Sequence, residues 1–336
     1  MRVVQVLGGA EDGGLEKHTI ELSDYLHEEG IDVSVIAHKK FKNDFQNVHF
    51  IELDLSKSRN NPLVLYKLYK ILKKENFDII HTQANKATDM VMKLKPYLKS
   101  KIVSTLHSSK KNIRSFEKAD FVITVSDRIG EKIKNKNRTT IYNGIKSQTI
   151  KKINLYEKFD IKNGTFILCA VGRLVDVKRY DVLIKGIKDI EVHLILVGKG
   201  EKEEELKRLS RELGIEHKIS FIQEMENKDV KELIASSDLY IITSDREGFS
   251  YTFAESLILE TPLLSTDVAD IKKTIGEEYI VPFGDSKKLS QKIEYIKSNY
   301  DIILKEFKPS FDFAKEEFNI SKMVTKTIHT YRRILT

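Results

Sequence analysis

Two carboxylates, Glu247 and Glu255, stand with seven residues between them. Ionised carboxylates accept two hydrogen bonds at fixed geometry and suit hydroxyl groups. The residues that follow Glu247 are Gly248, Phe249, Ser250, Tyr251 and Thr252. They read as a turn opening a helix, and the free backbone N–H groups of such a start suit a phosphate. One element can therefore hold a ligand with hydroxyls at both ends and phosphates between them, as a nucleotide-sugar has. A basic element supplies a counterpart. Gly172-Arg173-Leu174-Val175-Asp176-Val177-Lys178 follows the apolar strand pattern 166–171 directly. Arg173 can fork two phosphate oxygens, and Lys178 adds a point charge. The carboxyl end of a parallel strand is where ligands of such sheets bind, which favours a site over a solvated turn.

The first half of the chain has a glycine loop, Gly8-Gly9-Ala10-Glu11-Asp12-Gly13-Gly14, between a strand pattern and a helix pattern. Glycines let backbone approach a ligand, and the helix start adds positive partial charge. The loop lacks the G-x-G-x-x-G spacing of a dinucleotide fold, so a Rossmann oxidoreductase is disfavoured. His107 ends the strand pattern 102–106, where it could bind a sugar hydroxyl or assist a leaving group. His81 ends its own strand pattern in the same way. Position alone leaves each histidine open between capping and function. Cys169, the single cysteine, lies inside a strand pattern and reads as a buried small hydrophobe.

These residues need a scaffold of alternating elements. Strand patterns occur at 3–7, 32–37, 78–81, 101–106 and 121–125, then at 166–171, 192–197, 219–222, 239–243 and 262–265. Helical stretches such as 16–29 and 62–74 lie between them. The alternation predicts an α/β protein with parallel sheets covered on both faces. A chain of 336 residues suits two such domains, with the linker at 147–163. The helix pattern 318–335 follows the second sheet and has no strand partner.

The net charge of +7 is uneven: residues 1–150 hold 26 Lys+Arg and 18 Asp+Glu, giving +8. The remainder holds 31 and 32, giving −1. The stretch 93–101 interleaves lysines with apolar and aromatic residues, which suits either an anionic membrane surface or a solvated face. No nucleic-acid module is present, so nucleic acid is not expected as a partner. A single cysteine fits a reducing compartment. No signal-peptide pattern opens the sequence and no apolar run is long enough to span a membrane, so a cytoplasmic protein is expected, peripheral on the inner face of the membrane.

In this order, Gly13-Gly14-Leu15-Glu16, His107, Asn143-Gly144-Ile145, Gly172-Arg173 with Lys178, and Glu247-x7-Glu255 resemble the retaining GT-B glycosyltransferases of family 4. The resemblance covers nearly the whole chain. It implies two doubly wound Rossmann-like domains facing a central cleft: an acceptor-side domain over 1–150 and a nucleotide-sugar domain over 151–313. A C-terminal segment, 314–336, would pack back on the first domain. It implies a catalytic set of His107, Glu247, Arg173 and Lys178, with Arg173 and Lys178 on the diphosphate. Glu247 would hold the transferred sugar and Glu255 the ribose. Gly14 and the turn Gly248 to Thr252 would approach the donor, and the loop Gln223-Glu224-Met225 would lie near the nucleobase. Two departures stand out. That loop lacks the family's usual glycine, and Tyr251-Thr252 is bulkier than is common there.

The implied reaction moves a hexosyl or N-acetylhexosaminyl group from a nucleotide-diphosphate sugar to a hydroxyl of a glycan or lipid-linked glycan. UDP is the first choice of nucleotide and GDP-mannose the second, in bacterial surface polysaccharide or lipopolysaccharide synthesis. Arg173, Lys178 and backbone N–H groups would stabilise the leaving diphosphate, so no metal cofactor is expected. A hydrolysing nucleotide-sugar 2-epimerase of the same architecture is the alternative enzyme, and would need further carboxylates such as Asp12 or Asp89. A non-catalytic binding module is the third reading; the intact set of Arg173, Lys178, Glu247 and Glu255 argues against it.

Overall fold

The computed structural model of the protein describes residues 1–10, 13–108, 112–146 and 148–336. The chain forms two compact units, Met1–Lys146 with Asn319–Thr336, and Ser147–Phe318. The first holds strands β1 (Arg2–Leu7), β2 (Asp32–Ala37), β3 (His49–Glu52), β4 (Ile79–Gln83), β5 (Lys101–Leu106), β6 (Phe121–Thr124) and β7 (Arg138–Thr140). They pair in the order β3-β2-β1-β4-β5-β6-β7, all parallel. The second unit holds β8 (Phe166–Val171), β9 (Val192–Val197), β10 (Ile219–Ile222), β11 (Leu239–Ile242), β12 (Leu263–Thr266) and β13 (Ile280–Val281). Its order is β10-β9-β8-β11-β12-β13, again all parallel.

Each sheet reverses its winding once, between β1 and β4 and between β8 and β11. Loops at the carboxyl ends of those strands part there and leave room for a ligand. The central strands are buried along their length because helices cover both faces, and their Val- and Ile-rich composition follows from that.

The sequence patterns miss β3, β7 and β13. All three are short and pair on one side only, so they carry no continuous apolar run. β4 runs on through Thr82 to Gln83, which puts His81 in mid-strand rather than at its end. The unit boundary falls at 146/147, and the expected linker contains a short helix, Leu155–Lys158. Residues 314–318 stay with the second unit.

The helix Ile320–Leu335 belongs to the first unit. Its buried face repeats every three or four residues through Ile320, Met323, Val324, Thr327, Ile328 and Tyr331. That face shares a core with Val3, Leu22, Leu26, Val33, Val35, Ile79 and Val103. Asn319 caps its start by accepting from the Ser321 N–H at 2.8 Å. Each buried Ile, Val or Met contributes about 1.5–3 kcal/mol. Gly144 permits the approach: a Cβ there would lie 2.4 Å from Ile320 Cα. The Ile320 N–H donates to Ile145 O, closing a parallel bridge between Ile145 and Asn319.

Candidate active site

In the second unit, two loops at the winding reversal bring the basic and acidic elements together. The loop after β8 carries Gly172, Arg173 and a short turn, Asp176–Lys178. The loop after β11 carries Ser244 to Ser250 and leads into the helix Tyr251–Ile258. Thr243 Oγ1 donates to Lys178 O at 2.8 Å, and the Asp245 N–H donates to Val177 O at 2.8 Å. These bonds clamp one loop to the other. Beneath them, the buried Tyr240 hydroxyl accepts from the Val171 N–H at 3.1 Å and donates to Val171 O, which fixes the end of β8. Gly198 fits close under the Gly172 carbonyl, where a Cβ would lie only 1.9 Å from the oxygen.

Within this clamp Lys178 Nζ donates to Glu247 Oε1 at 2.6 Å, and the Ser244 hydroxyl donates to the same oxygen at 2.7 Å. The two charged side chains are 22% and 14% exposed. A pair this dry holds its geometry, because breaking it would leave a desolvated charge. An ammonium has three N–H donors and a carboxylate two acceptor oxygens. Among the described residues, Lys178 therefore keeps two N–H donors and Glu247 keeps Oε2 for a ligand. Arg173 is exposed, and its guanidinium meets no partner among the described residues. Arg179, next to Lys178, is occupied by Asp181 and Asp245.

Ser250 caps the helix Tyr251–Ile258, its Oγ accepting from the Phe253 N–H at 3.3 Å and lying 3.1 Å from Thr252 Oγ1. Glu255 lies one turn further on and is 4% exposed. Gly248 is buried. The Phe249 ring packs edge-on against Phe318 and Phe253, with centroids 5.4 and 6.3 Å away. Its side chain is thus an anchor for the turn. Burial first, and the Glu247 charge second, push the Tyr180 phenol well up, so it stays protonated. Cys169 is fully buried and its thiol is pushed up by burial, which makes it inert. The loop Gln223-Glu224-Met225 is tied at its exposed side: Gln223 Nε2 donates to Glu203 at 2.8 Å and Glu224 pairs with Lys199.

In the first unit, Gly14 opens the helix Gly14–Glu28, with Gly13 at the cap. Glu16 folds back under the loop, within 3.2 Å of where a Gly9 Cβ would stand. His107 follows β5 and is half-buried. Its ring meets that of His18 edge-on at 4.7 Å. Burial, then the charges of His18 and His81, hold His107 well below the usual imidazole range. His18 is held to about 4 by burial, opposed by Asn143. His81 is held to about 3, by burial and then by His18. All three rings are neutral at pH 7.

Sequence reasoning missed His18, Gln5, Gln83 and Tyr331, which surround His107 and His81. Gln5 and Gln83 are polar residues inside apolar strands, the one local signal that marked them. His81 is wholly buried and serves inside this group. Asp89, the possible extra carboxylate, is engaged by Arg59 and Ser115. Asp12 lies outside the described residues.

The chain and its fold match known proteins. Residues 12–149 match the family model "Glycosyltransferase Family 4" and residues 151–308 the model "Glycosyl transferases group 1". The chain belongs to the family 4 glycosyltransferases and has the GT-B fold. It is 25% identical over 304 residues to N-acetyl-alpha-D-glucosaminyl L-malate synthase of Bacillus anthracis, covering 80% of this chain and 78% of that protein. It is 22% identical to the lipopolysaccharide core biosynthesis glycosyltransferase LpsE of Rhizobium meliloti, covering 85% and 86% of the two chains. The crystal structure of Anabaena HepE in complex with UDP-glucose superimposes with a TM-score of 0.83 at 19% identity, covering 99% of this chain and 100% of that one.

Proposed function

We propose that this glycosyltransferase moves a hexosyl or N-acetylhexosaminyl group from a UDP-sugar, with retention of configuration, to a hydroxyl of a glycan or lipid-linked glycan. The observation that carries the reading is the Lys178–Glu247 pair at the winding reversal of the second sheet, with the exposed Arg173 on the same loop as Lys178. Arg173 and the two remaining Lys178 donors meet the diphosphate. Glu247 Oε2 accepts from hydroxyls of the transferred sugar, and Glu255 holds the ribose. As the bond from C1 to the leaving phosphate breaks, the acceptor oxygen bonds C1 on the same face and its proton passes to the leaving phosphate. The charge that builds on the diphosphate is met by fixed donors, commonly the largest catalytic contribution. No metal cofactor is required in this account. Neutral His107 accepts a hydrogen bond from a sugar hydroxyl.

UDP-glucose bound to HepE supports a UDP-sugar ahead of GDP-mannose. LpsE and its core-polysaccharide role support a surface-glycan acceptor. A lipid-linked acceptor also suits an anionic bilayer as partner of the basic first half. No helix among the described residues is long and apolar enough to cross a membrane. The face that suits a bilayer is the helix Pro62–Glu75. Its outer side presents Leu63 (71% exposed), Tyr66 and four lysines, 67, 70, 73 and 74. Tyr97, 69% exposed, joins it through the Tyr69 ring at 6.1 Å. Lys93 and Lys95, central to the stretch 93–101, are instead bound to Arg59 O and Asp120.

A thermal-shift panel of UDP, GDP, ADP and their sugars tests the donor assignment. UDP at about 100 times its dissociation constant adds about 2.7 kcal/mol of stability. A shift with GDP and none with UDP would move the assignment to GDP-mannose.

A further inference from the structure

A continuous buried chain of side chains joins the C-terminal helix to His107. The Tyr331 hydroxyl lies 2.5 Å from His81 Nδ1 and accepts from Gln5 Nε2 at 3.2 Å. Gln83 Nε2 donates to Gln5 Oε1 at 2.8 Å, and His107 Nε2 lies 2.7 Å from Gln83 Oε1. His81 Nε2 lies 2.6 Å from Thr105 Oγ1, closing the far end. Gln5, His81, Gln83, Thr105 and Tyr331 are each no more than 1% exposed, so no bulk water substitutes for a missing partner.

The donors in this chain run one way. Gln5 gives Tyr331 a hydrogen, and the phenol satisfies its own by donating to His81 Nδ1; Thr105 Oγ1 and, at 3.5 Å, Gln83 Nε2 face His81 Nε2. At the other end Gln83 presents an oxygen, so His107 must carry its proton on Nε2. His107 Nδ1 is then a bare acceptor, with no hydrogen-bond partner among the described residues. Turning the Gln5 or the Gln83 amide alone sets N–H against N–H or oxygen against oxygen, so the two amides and His107 hold one direction together. Such coupling makes the chain a unit rather than a set of pairs. A donor–acceptor chain that ends on a half-buried imidazole fixes its tautomer, as partners of the second ring nitrogen generally do.

We propose that Tyr331 is a positioning residue: acting through Gln5 and Gln83, it holds His107 as the Nε2–H tautomer, with Nδ1 turned over to a hydroxyl of the bound sugar. The hydroxyl half of this statement rests on the function proposed above; the tautomer half does not. A helix that returns from the end of the chain thereby reaches the reacting end of the first unit without touching substrate.

The test is long-range ¹H–¹⁵N spectroscopy of the imidazole rings, beside kinetics. In the full-length protein, His107 shows one protonated Nε2 and one unprotonated Nδ1. In Tyr331→Phe and in Gln5→Met the two nitrogens of His107 move toward a common averaged position. Transfer from UDP-sugar falls about tenfold in kcat/KM, the loss of one oriented hydrogen bond. UDP affinity is unchanged, because the nucleotide side lies in the second unit. Thr330→Ala, which removes a hydroxyl bonded only to Lys326 O on the same helix, leaves the His107 signals as in wild type. If the His107 signals stay fixed in both folded chain variants, or move equally in Thr330→Ala, the relay is overturned. If they are released while transfer is unaffected, the relay stands and His107 is not the sugar-binding group.

Discussion

Lys178 and Glu247 act as one unit, so their replacements should differ from that of Glu255. Lys178→Ala removes a diphosphate donor and leaves Glu247 with the Ser244 hydroxyl alone; turnover should fall by about 10²–10³. Glu255→Ala should chiefly weaken UDP binding, by roughly 1.5–3 kcal/mol, or about 10- to 100-fold in Kd by calorimetry. Wild-type turnover and affinity in both variants would remove these residues from the site. The buried histidines make a second prediction. His18 at about 4 and His81 at about 3 both lie below the ordinary 6.5, so unfolding takes up protons as pH falls. Their contribution is full above pH 6.5 and is lost on acidification toward the folded values. The slope is about 1.4 kcal/mol per pH unit for each histidine. Urea midpoints between pH 7.5 and 5 should fall less steeply in His81→Gln; an unchanged slope would contradict the assignment. Arg173, Lys178, Glu247 and Glu255 stood out in the sequence because each lies in a contiguous motif behind a strand. His18, Gln5, Gln83 and Tyr331 were not, because four separate segments bring them together.

At the scale of elements, the central strands were legible, and of the edge strands only β10 was, since β3, β7 and β13 are short and carry no continuous apolar run. Asn143-Gly144-Ile145 was legible as a motif but not as a cause. Gly144 is small because Ile320 lies against it, and the returning helix depends on that contact. The stretch 93–101 stood out by charge alone, and charge counting cannot tell a lysine bound to a neighbouring carbonyl, as Lys93 is, from one facing outward. The helix Pro62–Glu75 is the face to test. It should carry the protein onto anionic vesicles at low salt, each basic residue contributing on the order of 1 kcal/mol, and release it as salt rises. Leu63→Glu with Lys70→Glu should abolish flotation. Full flotation of that variant, or none of the wild type, would remove this face from the account.

At the scale of the whole molecule, the two units divide charge: Met1–Lys146 with Asn319–Thr336 holds 30 Lys+Arg and 18 Asp+Glu, giving +12, and Ser147–Phe318 holds 27 and 32, giving −5. The basic half suits an anionic acceptor environment. The acidic unit holds the Lys178–Glu247 ion pair, which in the proposed reaction meets a ligand that carries both phosphate and hydroxyls. The alternation of strands made the two-unit plan legible from sequence. The place where the chain recrosses, at 318/319, was not, because the helix Lys308–Glu317 continues the same polarity pattern without a break. The central claim is that the second unit activates a UDP-sugar through Arg173 and Lys178 without a metal. Its most direct measurement is release of nucleotide diphosphate from a panel of UDP-sugars and GDP-mannose, with wild type and Arg173→Ala, with and without EDTA. The account predicts UDP release by the wild type, unaffected by EDTA and reduced by about 10²–10³ in Arg173→Ala. Undiminished release in Arg173→Ala, or EDTA inhibition reversed by magnesium or manganese, would contradict it.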